Sequence, residues 1–345
     1  MALLFRMPFK YLILIGLAFV LFLVALPLSY LLYWPLAQPP SHQVADIRIR
    51  FGTSADSIAI LLEEAGIVRS ASQFRRALQI FNQRQNLRAG RFRVPYPVSN
   101  FKAIQALTSG PQILTKVTVP EGLTVRKIAR IFKNELGVDS LKIVQLATDA
   151  DFAGRFNIQV KNLEGYLLPE TYLFPYGITE KQIVTQLVGQ FKKTVWDTLL
   201  QRSQEMGFTT HEIVTLAAII QAEAKKSDEM PVIASVYHNR LRLGIPLQAD
   251  PTIQYIIADG PRRLLYRDLE IESPYNTYRH KGLPPGPINN PGWQAIRAAL
   301  YPPATDYLFF VADTRGGHTF SADYRRHVNA KKVLDRERNR VYRKN

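Results

Sequence analysis

The sequence predicts an α+β protein whose main part is exported and hangs from one N-terminal membrane helix. Three observations carry that prediction: a long uncharged run near the N-terminus, strand-like alternation closed by glycines ahead of helical periodicity, and long apolar helices before a proline-dense stretch. The 345 residues are 47% apolar, too hydrophobic for disorder and long enough for two or three packed modules. There are no cysteines. Disulfide scaffolds, thiol nucleophiles, iron–sulfur clusters and cysteine-type zinc sites are therefore excluded. Lys and Arg total 44 against 28 Asp and Glu, a formal charge of +16 that points to an anionic partner or surface.

Tyr11 to Ala37 carry no charge and are broken only by Pro27, Ser29 and Pro35. At ~1.5 Å per helical residue, about 20 residues cross the hydrocarbon core, so this run spans a membrane with room for tilt. The apolar region of a secretory signal is shorter, which favours an uncleaved anchor over cleavage after Ala37. Arg6 and Lys10 precede the run and the next basic side chain is Arg48. That asymmetry predicts a cytoplasmic tail at residues 1–10, a transmembrane helix at 11–37 and everything beyond on the outer side of an inner membrane. Tyr30, Tyr33 and Trp34 suit the outer interface. Nucleic acid is the usual partner of a basic chain, but an exported domain rarely meets it. Lipid headgroups or cell-wall polymer are the expected anionic targets, and Arg69 to Arg93 and Arg325 to Lys344 the basic surfaces.

A short Pro-containing linker, residues 38–43, leads into alternation at Val44, Ile47, Ile49 and Phe51. Gly52 ends that strand. Thr53 or Ser54 then caps a helix bearing Ile58, Leu61, Leu62 and Ala65, closed by Gly66. A second helix at about 72–82 and a returning strand at 89–94 complete a strand–helix–helix–strand module over 44–110. The pattern recurs over 111–155: a strand at Val117 to Gly122, a cap at Thr124 and a helix closed by Gly137. The first module resembles a LysM carbohydrate-binding unit, and by pattern alone equally a spacer of the same topology.

Residues 156–345 differ in texture. Helices are expected at about 179–206, 211–226 and 231–243, the last opened by Pro231 and closed by Gly244. Residues 244–303 then hold 10 of the chain's 22 prolines. A hairpin at 307–320 turns through Arg315-Gly316-Gly317, and a basic helix follows. There is no H-E-x-x-H, G-x-S-x-G, Walker loop or G-x-G-x-x-G, and the six histidines fall at no ligand-like spacing. No metal and no cofactor is expected.

The carboxylates are more informative. Ile213 to Ile220 are apolar nearly all round, so this helix belongs at a domain centre. Glu223 lies three, four and seven residues beyond Ile220, Ile219 and Leu216, on a greasy face. Burial there raises a carboxyl pKa, and an acid held protonated near neutrality suits general-acid catalysis on a glycosidic oxygen. The alternative at this point is a Glu223 that meets solvent or pairs with Lys225 or Lys226. The proline-dense stretch offers amide, carboxylate and phenol groups on stiff backbone at Gln248, Asp250, Asn276 and Tyr278, fit for sugar hydroxyls or simply for ordered turns.

At Asn162-Leu-Glu-Gly-Tyr-Leu-Leu-Pro-Glu-Thr-Tyr172, Ala217-Ala-Ile-Ile-Gln-Ala-Glu223, Ala234-Ser-Val-Tyr-His-Asn-Arg-Leu241, Leu247-Gln-Ala-Asp-Pro-Thr252, Tyr275-Asn-Thr-Tyr278, Gly282-Leu-Pro-Pro-Gly286 and Gly316-Gly-His-Thr-Phe320, the chain resembles the YceG-like (MltG) family of endolytic murein transglycosylases. The resemblance runs from the anchor to the C-terminus. It implies a LysM-like module at 44–110 and a catalytic domain at 156–345. It implies a lyase that cuts the MurNAc–GlcNAc bond of nascent peptidoglycan within the strand, leaves a 1,6-anhydro-muramyl end and terminates elongation beside peptidoglycan synthases. The family's catalytic glutamate falls on Glu223, and Gln248, Asp250, Asn276, Tyr278 and Glu164 take substrate-positioning roles. Many members carry Glu where this chain has Gln221, so a proton shared between the two positions is in doubt here. The competing expectation is a non-catalytic wall-binding scaffold that uses the LysM-like module alone.

Overall fold

A computed structural model describes residues 9–33, 43–96, 98–257 and 262–342. The first residues of the expected tail, most of the linker, Trp34 and the last basic residues lie outside them. Helix α1 (Phe9–Tyr33) contains a 19-residue stretch, Ile13–Leu31, of mean hydropathy 2.5, long and apolar enough to cross a membrane. Two compact units follow from the packing, one of residues 1–116 with 173–178 and one of 117–172 with 179–345.

In the first unit, β1 (Gln43–Ile49) is followed by α2 (Ala55–Glu64), α3 (Ala71–Ile80) and β2 (Gly90–Tyr96). The strands pair antiparallel from Gln43 opposite Tyr96 to Ile49 opposite Gly90. Ser54, not Thr53, caps α2 by accepting from the Ser57 amide. Alternation along the strands turns Ile47, Ile49, Phe92 and Val94 onto Ile58, Leu62, Phe74 and Leu78, which form the core. Helix α4 (Asn100–Thr108) and strand β3 (Gln112–Thr118) come next, and β3 pairs with β2. Arg84 and Arg91 of the expected basic face pair with Asp56 and Asp46, so that face is partly neutralised.

In the second unit, α5 (Val125–Leu136) is capped by Thr124 and stopped by Gly137 at φ +71°, as the sequence suggests. The preceding strand differs: β3 ends at Thr118, and Glu121-Gly122 are turn. Proline 120 lacks the amide a ladder needs, and Gly122 has φ +74°. Helices α6 (Ser140–Thr148) and α7 (Ala150–Gly154) follow, α6 packing on both α5 and a later helix, so these elements share the second unit's core. Strand β4 (Thr171–Pro175) lies mostly in residues 173–178, which belong to the first unit; beyond it α8 (Glu180–Phe191) runs through a π turn at 192–196 into α9 (Asp197–Glu205). The strands β1 to β4 lie in that order in one sheet.

Helix α10 (Thr210–Glu223) is the centre of this unit. Thr209 and Glu212 cap it reciprocally, and every residue from Ile213 to Ile220 is buried. Around it stand α9, α11 (Met230–Arg242), α12 (Asp250–Ile256) and α13 (Trp293–Leu300). The hairpin β5 (Phe309–Ala312) and β6 (His318–Ser321) packs on α11, and α14 (Tyr324–Tyr342) packs on the hairpin.

Candidate active site

Glu223 is the last residue of α10. The residue is half-buried, while its carboxyl is surrounded by protein and poorly solvated. Desolvation pushes the carboxyl up to about 7; the Tyr237 hydroxyl and the Arg240 charge pull it down, and the Asp250 charge raises it. The negative end of the α10 dipole adds to the bias against the carboxylate.

Helix α11 supplies the next two groups. Tyr237 and Arg240 stand three residues apart and so share a helix face. The Tyr237 hydroxyl donates to Glu223 Oε1 at 3.1 Å. Its ring stands edge-on to Phe310 of β5 at 5.8 Å, and Phe310 meets His318 at 5.3 Å. His318 Nδ1 lies 2.7 Å from Glu229 Oε2, and Glu229 Oε1 accepts the His318 amide at 2.9 Å. The hairpin thereby backs the tyrosine and pins the chain leaving α10. Arg240 is buried and donates to the carbonyls of Leu247 at 2.8 Å and Leu308 at 2.7 Å. It holds the segment before α12 close to Glu223.

On that segment Gln248 adopts φ +51°, rare for a side-chain-bearing residue, and is exposed. Its amide donates to Thr277 O at 3.0 Å, and the Ala249 amide donates to Thr277 Oγ1 at 3.0 Å. The pairing places Asp250 beside Tyr278, whose hydroxyl donates to Asp250 Oδ1. Asp250 and Gln248 are exposed and Tyr278 half-buried, and the Asp250 charge acts on the Glu223 carboxyl, so these expected residues gather on the loops near Glu223.

The other two expected positioning residues lie in the interior. Asn276 is fully buried; its Nδ2 donates to Leu269 O and Ile271 O at 2.9 and 2.8 Å, and its Oδ1 accepts from the Tyr278 amide at 3.0 Å. It shapes the loop and has no free polar atom for a sugar. Glu164 is 9% exposed, accepts from the Val125 amide at 3.0 Å and from Asn290 Nδ2 at 2.8 Å, and burial pushes its carboxyl up to about 7. It closes the N-terminus of α5. Sequence reasoning could not separate these two from surface groups, because a polar residue in a loop motif reads alike whether it turns in or out.

Gln221 serves a third purpose. Its Oε1 accepts from the Gly292 amide at 2.9 Å, at the start of α13. Residues two apart on a helix do not face each other, and Gln221 and Glu223 accordingly look in different directions. Tyr237, Arg240 and His318 lay inside the quoted motifs with no role attached to them. The i, i+3 spacing of Tyr237 and Arg240 is the signal that could have singled them out.

The candidate site thus consists of a glutamate at the end of a buried helix, a tyrosine that donates to it, and Gln248, Asp250 and Tyr278 on the neighbouring loops. The model of the YceG-like family matches residues 47–333. The chain is 33% identical to the endolytic murein transglycosylase of Bacillus subtilis (strain 168), over 84% of this chain and 85% of that one. It is 28% identical to the endolytic murein transglycosylase of Streptococcus pneumoniae serotype 2, over 84% of this chain and 60% of that one. The crystal structure of a YceG-like protein from Listeria monocytogenes superposes with a TM-score of 0.58 at 30% identity, covering 84% of this chain and 99% of that one. The chain belongs to the YceG-like family.

Proposed function

We propose that this protein is a membrane-anchored endolytic lytic transglycosylase that cuts the MurNAc–GlcNAc bond of nascent peptidoglycan. The observation that carries the reading is the carboxyl of half-buried Glu223, desolvated at the end of a buried helix, in a chain of this family. Held protonated near neutral pH, Glu223 gives its proton to the leaving glycosidic oxygen. The Tyr237 hydroxyl steadies the carboxylate that results. That carboxylate then takes the proton of the muramyl 6-hydroxyl, whose oxygen attacks its own anomeric carbon and closes the 1,6-anhydro ring. One carboxylate suffices, since no water has to be activated across the ring. Gln248, Asp250 and Tyr278 position the saccharide, and Asn276 and Glu164 act one step back by fixing the loops.

Helix α1 anchors the chain in the inner membrane with the N-terminus cytoplasmic, and the β1-α2-α3-β2 order supports a LysM-like reading of residues 44–110. Cutting within nascent strands would end their elongation, with peptidoglycan synthases as neighbours. The test is digestion of purified peptidoglycan by the full chain in detergent, with products read by mass spectrometry. Anhydro-muropeptides that vanish with Glu223→Gln are expected. Reducing muramyl ends would mean a hydrolase, and binding without cleavage a scaffold.

A further inference from the structure

A second recess lies at the other end of α10. The stretch 154–162, His211, Tyr275 and the Pro285-Gly286 turn enclose an open cavity of about 870 Å³, within the range of small-ligand sites. Its walls are fixed in advance. The Lys192 ammonium, projected from the π turn, donates to Phe156 O at 2.7 Å. His211 Nε2 sits 3.0 Å from Pro285 O, and its Nδ1 is 2.9 Å from the Tyr166 hydroxyl. Asn157 is held at φ +54°, and Asn162 accepts from the Glu164 amide at 3.0 Å.

The polar groups facing the cavity are by contrast unspent. Among the described residues, the side chains of Asn157, Gln159, Lys161 and the Tyr275 hydroxyl make no hydrogen bond or ion pair. Two amides, a phenol and an ammonium suit peptide groups ending in a carboxylate. The Tyr275 ring packs against Tyr255 at 5.2 Å between centroids, tilted by 45°.

Distance selects the occupant. His211 and Glu223 are twelve residues apart on one helix, ~18 Å along its axis. An extended chain of five residues spans at most roughly 17–18 Å. With the lactyl ether that joins it to the sugar, a pentapeptide on a muramyl residue near the cleaved bond is just long enough to bring its carboxylate end to this cavity. Tyr275 and Tyr278, three residues apart in one segment, link the two sites along a second path.

Resting on the transglycosylase reading, we propose that the cavity between residues 154–162, His211 and Tyr275 is a subsite for the carboxylate end of the stem peptide, with Lys161 and Tyr275 as its specificity-determining residues. The enzyme then selects strands with full-length stems, and positions the scissile bond from a point remote from it.

The decisive titration uses the full chain in detergent carrying Glu223→Gln, with the free stem pentapeptide as probe. Saturable binding is expected, weakened about tenfold by Lys161→Ala and about fivefold by Tyr275→Phe. With Glu223 intact, the ratio of kcat/KM on stem-bearing strands to that on amidase-stripped strands should fall by the same factors, about tenfold in Lys161→Ala and about fivefold in Tyr275→Phe, through KM. Absent peptide binding, equal binding in the variants, or an unchanged ratio overturns the subsite. A normal ratio with anhydro products leaves the transglycosylase standing without it. Failure of the intact enzyme to cut any strand removes the catalytic reading, and the peptide titration still decides whether the cavity binds a stem.

Discussion

Tyr237 donates its hydroxyl hydrogen to Glu223 Oε1 at 3.1 Å, while Asp250 adds negative charge to the same neighbourhood. The two influences act on the Glu223 proton with opposite sign, and the sign is measurable. A general acid works while protonated, so kcat/KM should fall as pH rises through about 7. Tyr237→Phe removes a bond that favours the carboxylate, and the alkaline limb should move to higher pH. Asp250→Asn removes a charge that disfavours it, and the limb should move to lower pH. Limbs that shift the same way in both variants would refute the assignment of Glu223 as acid.

Glu223→Gln keeps the shape of the site and loses only the proton chemistry. Activity should drop by about 10² to 10⁴, the usual contribution of a general acid. Thermal unfolding should show no loss of stability, because burying a neutral amide costs less than burying a carboxylate. A strand-cleavage rate within tenfold of wild type would exclude Glu223 from the chemistry.

Much of this site is legible from sequence, for a physical reason. The all-apolar run from Ile213 to Ile220 can only be buried, so the residue at its end must sit where solvation changes. Thr124, Gly137 and Pro231 mark helix ends because capping and φ preferences are local. The inward turn of Asn276 and Glu164 is not local: it depends on which carbonyls and amides from distant segments lack partners. The end of β3 at Thr118 is not marked by pattern, because apolar Val119 continues the alternation up to Pro120, which halts the ladder. The linkage from Glu229 through His318 to Phe310 joins residues some ninety positions apart, and no spacing rule reveals it.

Asn276 should behave as a structural residue. Asn276→Ala strands two part-buried carbonyls and the Tyr278 amide, a cost of about 2 kcal/mol. Tyr278 and Asp250 would lose their register, so kcat should fall along with stability. Activity loss at unchanged melting temperature would instead mean that Asn276 touches substrate.

Gly165 follows Glu164 and turns at φ +90°. A Cβ there would lie 2.5 Å from Pro287 Cγ and 2.9 Å from Val214 Cγ1, both in the packed interior around α10. Gly165→Ala should destabilise the second unit by at least about 2 kcal/mol, from left-handed strain and overpacking together. A melting temperature equal to wild type would contradict that packing.

Glu164 makes a prediction about pH rather than catalysis. Its carboxyl stands at about 7 in the folded protein against an ordinary 4.5, with burial as the leading cause and the Val125 and Asn290 bonds opposing it. The folded state therefore holds a proton that the unfolded chain has released between those values. Stability falls as pH rises across that window, and a shift of this size corresponds to about 3 kcal/mol. Glu223 adds a contribution of the same sign over the same range. Glu164→Gln still accepts the Val125 amide and carries no charge, so between pH 4.5 and 7 its stability should fall less with rising pH than that of wild type. The double variant with Glu223→Gln should remove the second falling contribution and leave the opposite one from His238 and His327, which burial holds below the usual imidazole range. A slope unchanged by Glu164→Gln would show that this carboxylate is ionised and paired in the fold, as an ordinary helix cap would be.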